Sequence, residues 1–156
     1  MGQEVERKFL VVGESWRERA KGSELRQGFL STHPERAVRV RVAGDQAWLT
    51  IKGKTVGATR AEFEYAIPLE DAKRLLDELC ERPLVEKVRY TLEAGSHTWE
   101  IDVFEGVNAG LVVAEIELGG EDEPFEKPAW LGEEVTHDPR YFNSNLVRHP
   151  YRDWSD

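Results

Sequence analysis

The sequence predicts a mainly β fold of the α+β kind, an antiparallel barrel or sandwich with few helices. Three observations carry that prediction. Period-two alternation of apolar and polar residues runs through most of the chain, which is the mark of strands with two unlike faces. Turn signals separate several of those segments, at Ala43-Gly44-Asp45, Ala94-Gly95-Ser96 and between Gly106 and Gly110. Few helical segments stand between the strand candidates, and eight short strands in that arrangement suit an antiparallel architecture.

In chain order, strands are expected over residues 4–10, 26–32, 37–42, 47–54, 60–67, 86–93, 98–104 and 111–118. A helix is expected over 70–81. It follows Pro68, opens with acids, and sets Leu69, Ala72, Leu75, Leu76 and Leu79 on one stripe, with Cys80 beside it as a buried structural thiol. A short helix is expected over 15–21, after Gly13. The tail from 119 to 156 carries acids, prolines and Trp130, Tyr141, Phe142, Tyr151 and Trp154, enough aromatic surface to pack back on the sheet. A length of 156 residues fits one domain spanning 1–156.

Composition removes several classes of function. No stretch approaches the roughly 20 apolar residues of a membrane-spanning helix, and residues 1–10 are too charged for a secretory signal. The single cysteine excludes an internal disulfide and a cysteine-based zinc site and suits a reducing, cytoplasmic setting. A net charge of −9 and a pI near 5.0 argue against DNA as a partner. Gly53-Lys54-Thr55 ends like a phosphate-binding P-loop, but Trp48 stands where its first glycine is required. His33, His97 and His137 fall in turn sequences, and no histidine pair has zinc-ligand spacing.

The strands themselves are unusual. Glu4, Glu6 and Lys8 share one face, as do Arg39 and Arg41, Thr50, Lys52 and Lys54, Glu62 and Glu64, Lys87 and Arg89, Glu100 and Asp102, and Glu115 and Glu117. The opposite faces carry Val5, Phe9, Val38, Val40, Leu49, Ile51, Phe63, Tyr65, Val88, Trp99, Ile101, Ala114 and Ile116. Seven of the eight strands thus give eight acids and seven bases to one face, with like charges grouped by strand. A solvated face explains any one strand. It explains the set poorly, because grouped like charges repel unless a ligand offsets them. A closed barrel with the charges inside supplies the place for such a ligand. Glutamates at i, i+2 suit a hard divalent cation, and Arg and Lys on neighbouring strands suit a polyanion. Acids for metal and bases for phosphate are the two halves of a metal-dependent phosphoryl-transfer site.

Glu4-Val5-Glu6-Arg7-Lys8-Phe9 resembles the E-x-E-x-K signature that opens CYTH domains of the triphosphate tunnel metalloenzyme superfamily. The resemblance continues in order through residues 25–30, 38–41, 49–52, 62–64, 86–90, 99–104, 113–117, 132–136 and 140–146. It implies an eight-stranded antiparallel tunnel that binds triphosphate with Mg²⁺ or Mn²⁺, most like the small bacterial tripolyphosphatases. By position, Glu4, Glu6 and Glu115 would hold one metal ion, and Glu100, Asp102 and Glu117 a second. Lys8, Arg39, Arg41, Lys52, Lys87 and Arg89 would contact phosphate oxygens, with Lys8 and Lys87 also catalytic. Glu62 and Glu64 would orient neighbouring bases. Phe29 stands where these enzymes commonly have Tyr, so no role for a phenol transfers. Lys54 and Arg60 are either ligand contacts or solvated rim charges. The implied reaction is hydrolysis of inorganic triphosphate to pyrophosphate and phosphate. A class IV-type adenylate cyclase, a thiamine triphosphatase acting on that organic triphosphate, and a non-catalytic polyphosphate- or nucleotide-binding module are the alternatives. A homodimer is a further expectation.

Overall fold

The computed structural model describes residues 2–154; Met1, Ser155 and Asp156, at the ends of the expected domain and tail, lie outside the described residues. The strands are β1 (Gln3–Val11), β2 (Lys21–Ser31), β3 (Ala37–Ala43), β4 (Gln46–Lys52), β5 (Thr59–Ala66), β6 (Val85–Ala94), β7 (His97–Phe104), β8 (Val112–Leu118) and β9 (Leu131–Glu134). Helix α1 spans Leu69–Glu78 and α2 spans Asn143–Arg148. Eight strands run in the antiparallel order β5-β4-β3-β2-β6-β7-β8-β1, and β1 pairs back onto β5 through Gln3↔Ala61, Glu4↔Arg60 and Val5↔Thr59. That last pairing closes the barrel. β9 lies beside the C-terminal half of β1, with Phe9 opposite Glu134 and Val11 opposite Leu131. Two-residue loops join β3 to β4 and β6 to β7, and Gly44 and Gly95 take positive φ there (62° and 64°), where a side chain would be strained.

The apolar faces point outward and are covered except over part of β4 and β5. Val5, Phe9, Trp99, Ile101, Ala114 and Ile116 pack with Trp16, from a 3-10 turn at Ser15–Arg19, and with Trp130 of the tail. Trp99 meets Trp130 and Phe9 edge-on, with centroids 5.3 and 5.7 Å apart. α1 lays Ala72 and Leu76 over Val40 and Ala47. Ile51, Phe63 and Tyr65, on the outer side of β4 and β5, stay exposed. No helix among the described residues is long and apolar enough to cross a membrane.

The interior departs from a uniformly charged lumen. Phe29, Ala37, Val85, Phe104, Leu111 and Val113 form an apolar floor with Val135, Tyr141, Leu146 and Val147 from the tail. Register explains it: Phe104 is opposite Lys87 and Val113 opposite Asp102, so the floor belongs to the charged face, further along the strands. The tail therefore stops one end of the barrel.

Several boundaries differ from those expected. β2 begins at Lys21 because Lys21–Gln27 form a ladder with β6, made of polar residues whose pairing leaves no alternation to read. α1 ends at Glu78; Leu79 turns out of the helix and is 66% exposed, so it does not belong to the buried stripe. Lys54 lies beyond β4 and is exposed. Cys80 is buried, its thiol pushed up by burial, and it packs against Gly28, where a Cβ would come within 2.9 Å of the sulfur. β9 is too short for a periodicity signal, and α2 opens with Asn-Ser-Asn, which has weak helix propensity.

Leu76 carries the α1 contact at zero exposure. Leu76→Ala should cost about 2–5 kcal/mol in urea unfolding; a loss below about 1 kcal/mol would show that α1 is not anchored there.

Candidate active site

The charged faces enclose a cavity of about 170 Å³. Every charged residue singled out for the site lines it except Asp102, which is fully buried behind the wall, and Lys54, which stands outside. Arg60 lines it too; it shares parity with Glu62 and Glu64, so its position was legible. Asn143 and Ser144, from the start of α2, complete the lining beside Phe29 and Ala37. Both fall in the 140–146 segment of the family resemblance, but nothing in its local pattern assigns them to the site, since their place depends on how the tail docks.

Each base is held by a carboxylate from another strand. On one side, Glu4 Oε1 accepts from Lys52 Nζ (3.0 Å) and Arg60 Nε (3.2 Å), while Lys52 also meets Glu62 at 3.3 Å. Burial opposes ionisation of Glu4, but Lys52 and Arg60 outweigh it and bring its carboxyl down to about 2. Lys8 bridges Glu6 (3.0 Å) and Glu115 (2.5 Å). Its burial is overcome by those two carboxylates, which raise it above the ordinary lysine range. Opposite, Arg89 forks onto Asp102 (2.8 and 3.0 Å) and reaches Glu115 and Glu100, each at 3.3 Å. Burial works against Asp102 and Glu115 as well, yet Arg89 with Lys87 and Lys8 with Arg89 hold them ionised below the usual range.

Some groups are left over. Arg39 and Arg41 share one carboxylate, Glu64, at 3.7 and 3.6 Å, and the Nε atoms of both are buried without a partner among the described residues. Burial, with Arg41 and Arg89 nearby, brings Arg39 down to about 10. Lys87 is 2% exposed; it meets Asp102 at 2.7 Å and donates to Asn143 Oδ1 at 2.8 Å. Burial lowers it to about 8, against the pull of Asp102. On the acidic side, Glu117 stands opposite Glu6 and Glu100 opposite Glu115 in the strand register, two like-charge pairs. Burial raises the carboxyl of Glu117, and Glu4 and Glu6 raise it further. Glu100 is raised by burial more than Arg89 lowers it. The cavity is thus bipolar, with an under-neutralised guanidinium pair on β3 and crowded carboxylates on β1, β7 and β8.

The two metal-ligand sets expected from sequence are not gathered as such. Among the described residues no three acidic, His or Cys side chains converge in ligand geometry, because the carboxylates are turned onto Lys and Arg. Asp102 has both oxygens engaged by Arg89 and Lys87. Glu62 and Glu64 do sit against bases, Lys52 for the first and Arg39 and Arg41 for the second. Thr50, fully buried, links them by donating to Glu64 (2.8 Å) and accepting from Arg39 (3.3 Å).

Comparison with known proteins gives a consistent result. An inorganic triphosphatase from Acetivibrio thermocellus is 49% identical over 156 residues, covering all of both chains. An inorganic triphosphatase from Nitrosomonas europaea is 37% identical over 152 residues, covering 92% of this chain and 96% of its own. The crystal structure of an inorganic triphosphatase superposes with a TM-score of 0.63 at 34% identity, over 92% of this chain and 93% of that one. The CYTH domain family model matches residues 2–151, and the chain belongs to that family.

Proposed function

We propose that this chain is a metal-dependent triphosphatase that hydrolyses inorganic triphosphate to pyrophosphate and phosphate. The observation that carries the reading is the charge balance of the cavity. Seven acids and seven bases line it, so it offers a polyanion no net attraction of its own. Arg39 and Arg41, which line the cavity and share the single carboxylate of Glu64, supply guanidinium donors for phosphate oxygens. A triphosphate brings several negative charges, and a compensating cation must enter with it.

The donor chemistry suits such a cation, although the carboxylates are turned onto bases. Glu6, Glu100 and Glu117 offer oxygen donors, as hard divalent ions such as Mg²⁺ or Mn²⁺ require, and their mutual repulsion is relieved by positive charge. Glu4 and Glu115, now bound to bases, would join them as Lys52 and Lys8 move onto phosphate. Held there, a divalent cation would supply charge neutralisation for the phosphate oxygens. The chain does the rest. Arg39, Arg41, Lys52, Arg60 and Arg89 hold the triphosphate; Lys8 and Lys87 neutralise the reacting phosphoryl group. Asp102 holds Lys87 and Arg89 in place instead of binding metal. Because all these groups stand on barrel strands, the backbone that positions them is fixed before the ion pairs exchange.

Phosphate release from tripolyphosphate, ATP and pyrophosphate, each with Mg²⁺, Mn²⁺ or EDTA, tests this directly. Rapid release from tripolyphosphate with metal, and a loss of at least about 100-fold in Glu6→Ala, is expected. Cyclic AMP from ATP without tripolyphosphate cleavage would replace the reading with a cyclase, and binding without product would leave a capture module.

Glu117 bears an unfavourable charge in the fold, so removing that charge stabilises the metal-free protein. Glu117→Gln should raise the thermal midpoint in EDTA by about 2–4 °C, and Mg²⁺ should raise it less than in the native chain. A lower midpoint would contradict the crowding. Lys87 titrates near 8, so its cation is present below that pH and is lost above it. Accordingly kcat/KM for tripolyphosphate, which reports groups of the free enzyme, should fall as pH rises through about 8. A profile flat to about pH 10 would remove Lys87 from substrate binding.

A further inference from the structure

We propose that Asn143 is a substrate-binding residue: its side-chain Nδ2 donates to a phosphoryl oxygen at the closed end of the cavity. The inference rests on the triphosphatase reading for its ligand and assigns a contact to a part of the chain outside the barrel strands.

The amide's orientation follows from its partners. Asn143 Oδ1 accepts from Lys87 Nζ at 2.8 Å and from Gln27 Nε2 at 2.7 Å. An ammonium can only donate, so the side that faces Lys87 must be the oxygen. That choice fixes Gln27 as well: its Nε2 faces Asn143, and its Oε1 is left buried with no partner among the described residues. Gln27 has zero exposure and Lys87 2%, so the pair forms a rigid seat for the amide. With its oxygen held twice, the NH₂ of Asn143 is directed elsewhere. It has no protein partner among the described residues, and Asn143 lines the cavity together with Ser144.

Location supplies the ligand class. Asn143 sits where the charged wall meets the apolar floor of Phe29, Phe104 and Leu146. A linear polyphosphate lying among the wall cations ends there. Lys87 at this end is already held by Asp102, and another cation at the dry end would carry the desolvation cost that already draws Lys87 down. A neutral donor binds a terminal phosphoryl oxygen without that cost. The tail, by this account, does more than stop the barrel: it reads the end of the substrate.

The test separates a direct contact from an effect passed through Lys87. Affinity for bisimidotriphosphate, a tripolyphosphate analogue with P–N–P bridges that resists hydrolysis, is measured with Mg²⁺ for the native chain, Asn143→Ala, Lys87→Ala and the double variant. Asn143→Ala should weaken binding at least about ten-fold, the value of one hydrogen bond to a charged group. The loss should persist at about three-fold or more in the Lys87→Ala background. No loss in either background, or a loss that vanishes without Lys87, overturns the inference. Should a variant fail to fold, a crystal structure of the native chain with the analogue decides: an analogue phosphoryl oxygen within about 3.2 Å of Nδ2 is expected, and none near it refutes the contact. Analogue binding sensitive to Asn143 in a chain that never cleaves tripolyphosphate would sink the hydrolase reading and spare this one. Cleavage of tripolyphosphate with binding indifferent to Asn143 would do the reverse.

Discussion

Gathering fourteen ionisable groups around one cavity, Glu4, Lys8, Lys52, Lys87 and Glu115 among them buried, is the constraint on which the rest of this structure depends. An unpaired charge taken from water costs several kcal/mol, so a barrel with a charged lumen holds together only if its charges meet opposite partners as the sheet closes. Strand order does that work. Lys8 on β1 reaches Glu115 on β8, Lys52 on β4 reaches Glu4 on β1, and Arg89 on β6 reaches Asp102 on β7. Arg89 and Asp102 meet across the β6–β7 hairpin, whereas the other two pairs are distant in sequence and form only because their strands become neighbours or face one another across the closed ring.

With the lumen given over to charge, apolar burial moves to the outside. The hydrophobic contribution comes from Trp99, Ile101, Ile116 and Phe9 under Trp16 and Trp130, and from α1 over β3 and β4. Tail and helix are therefore structural necessities of an inverted barrel, not appendages. The tail has a second duty at the lumen's end, where Leu146, Val147 and Tyr141 meet strand residues to make a dry floor.

Incomplete pairing is where function enters. Arg39 and Arg41 outnumber their carboxylate, while Glu6, Glu100 and Glu117 are crowded against their own kind. Such residual imbalance is costly in an empty barrel and would be relieved by an anion and a cation arriving together, as the proposed function requires. Lys87 shows the same pattern: its burial lowers its basicity, and Asp102 only partly restores it.

How much of this the sequence determined follows from the range of each interaction. Alternation of period two sorts residues between faces wherever a strand forms, so Glu4, Glu6, Arg39, Arg41, Lys87, Arg89, Glu115 and Glu117 could be placed together without coordinates. Arg60 was placeable by the same parity with Glu62. The order of motifs carried the family, and with it the closed antiparallel ring. Only the tertiary structure decided which carboxylate answers which base, that Asp102 lies behind the lining, that the lumen ends in an apolar floor, and that Asn143 sits on Lys87. Those outcomes depend on register, closure and docking of the tail. Lys8 and Glu115 are separated by 107 positions and Gln27 and Asn143 by 116, distances over which no local periodicity speaks.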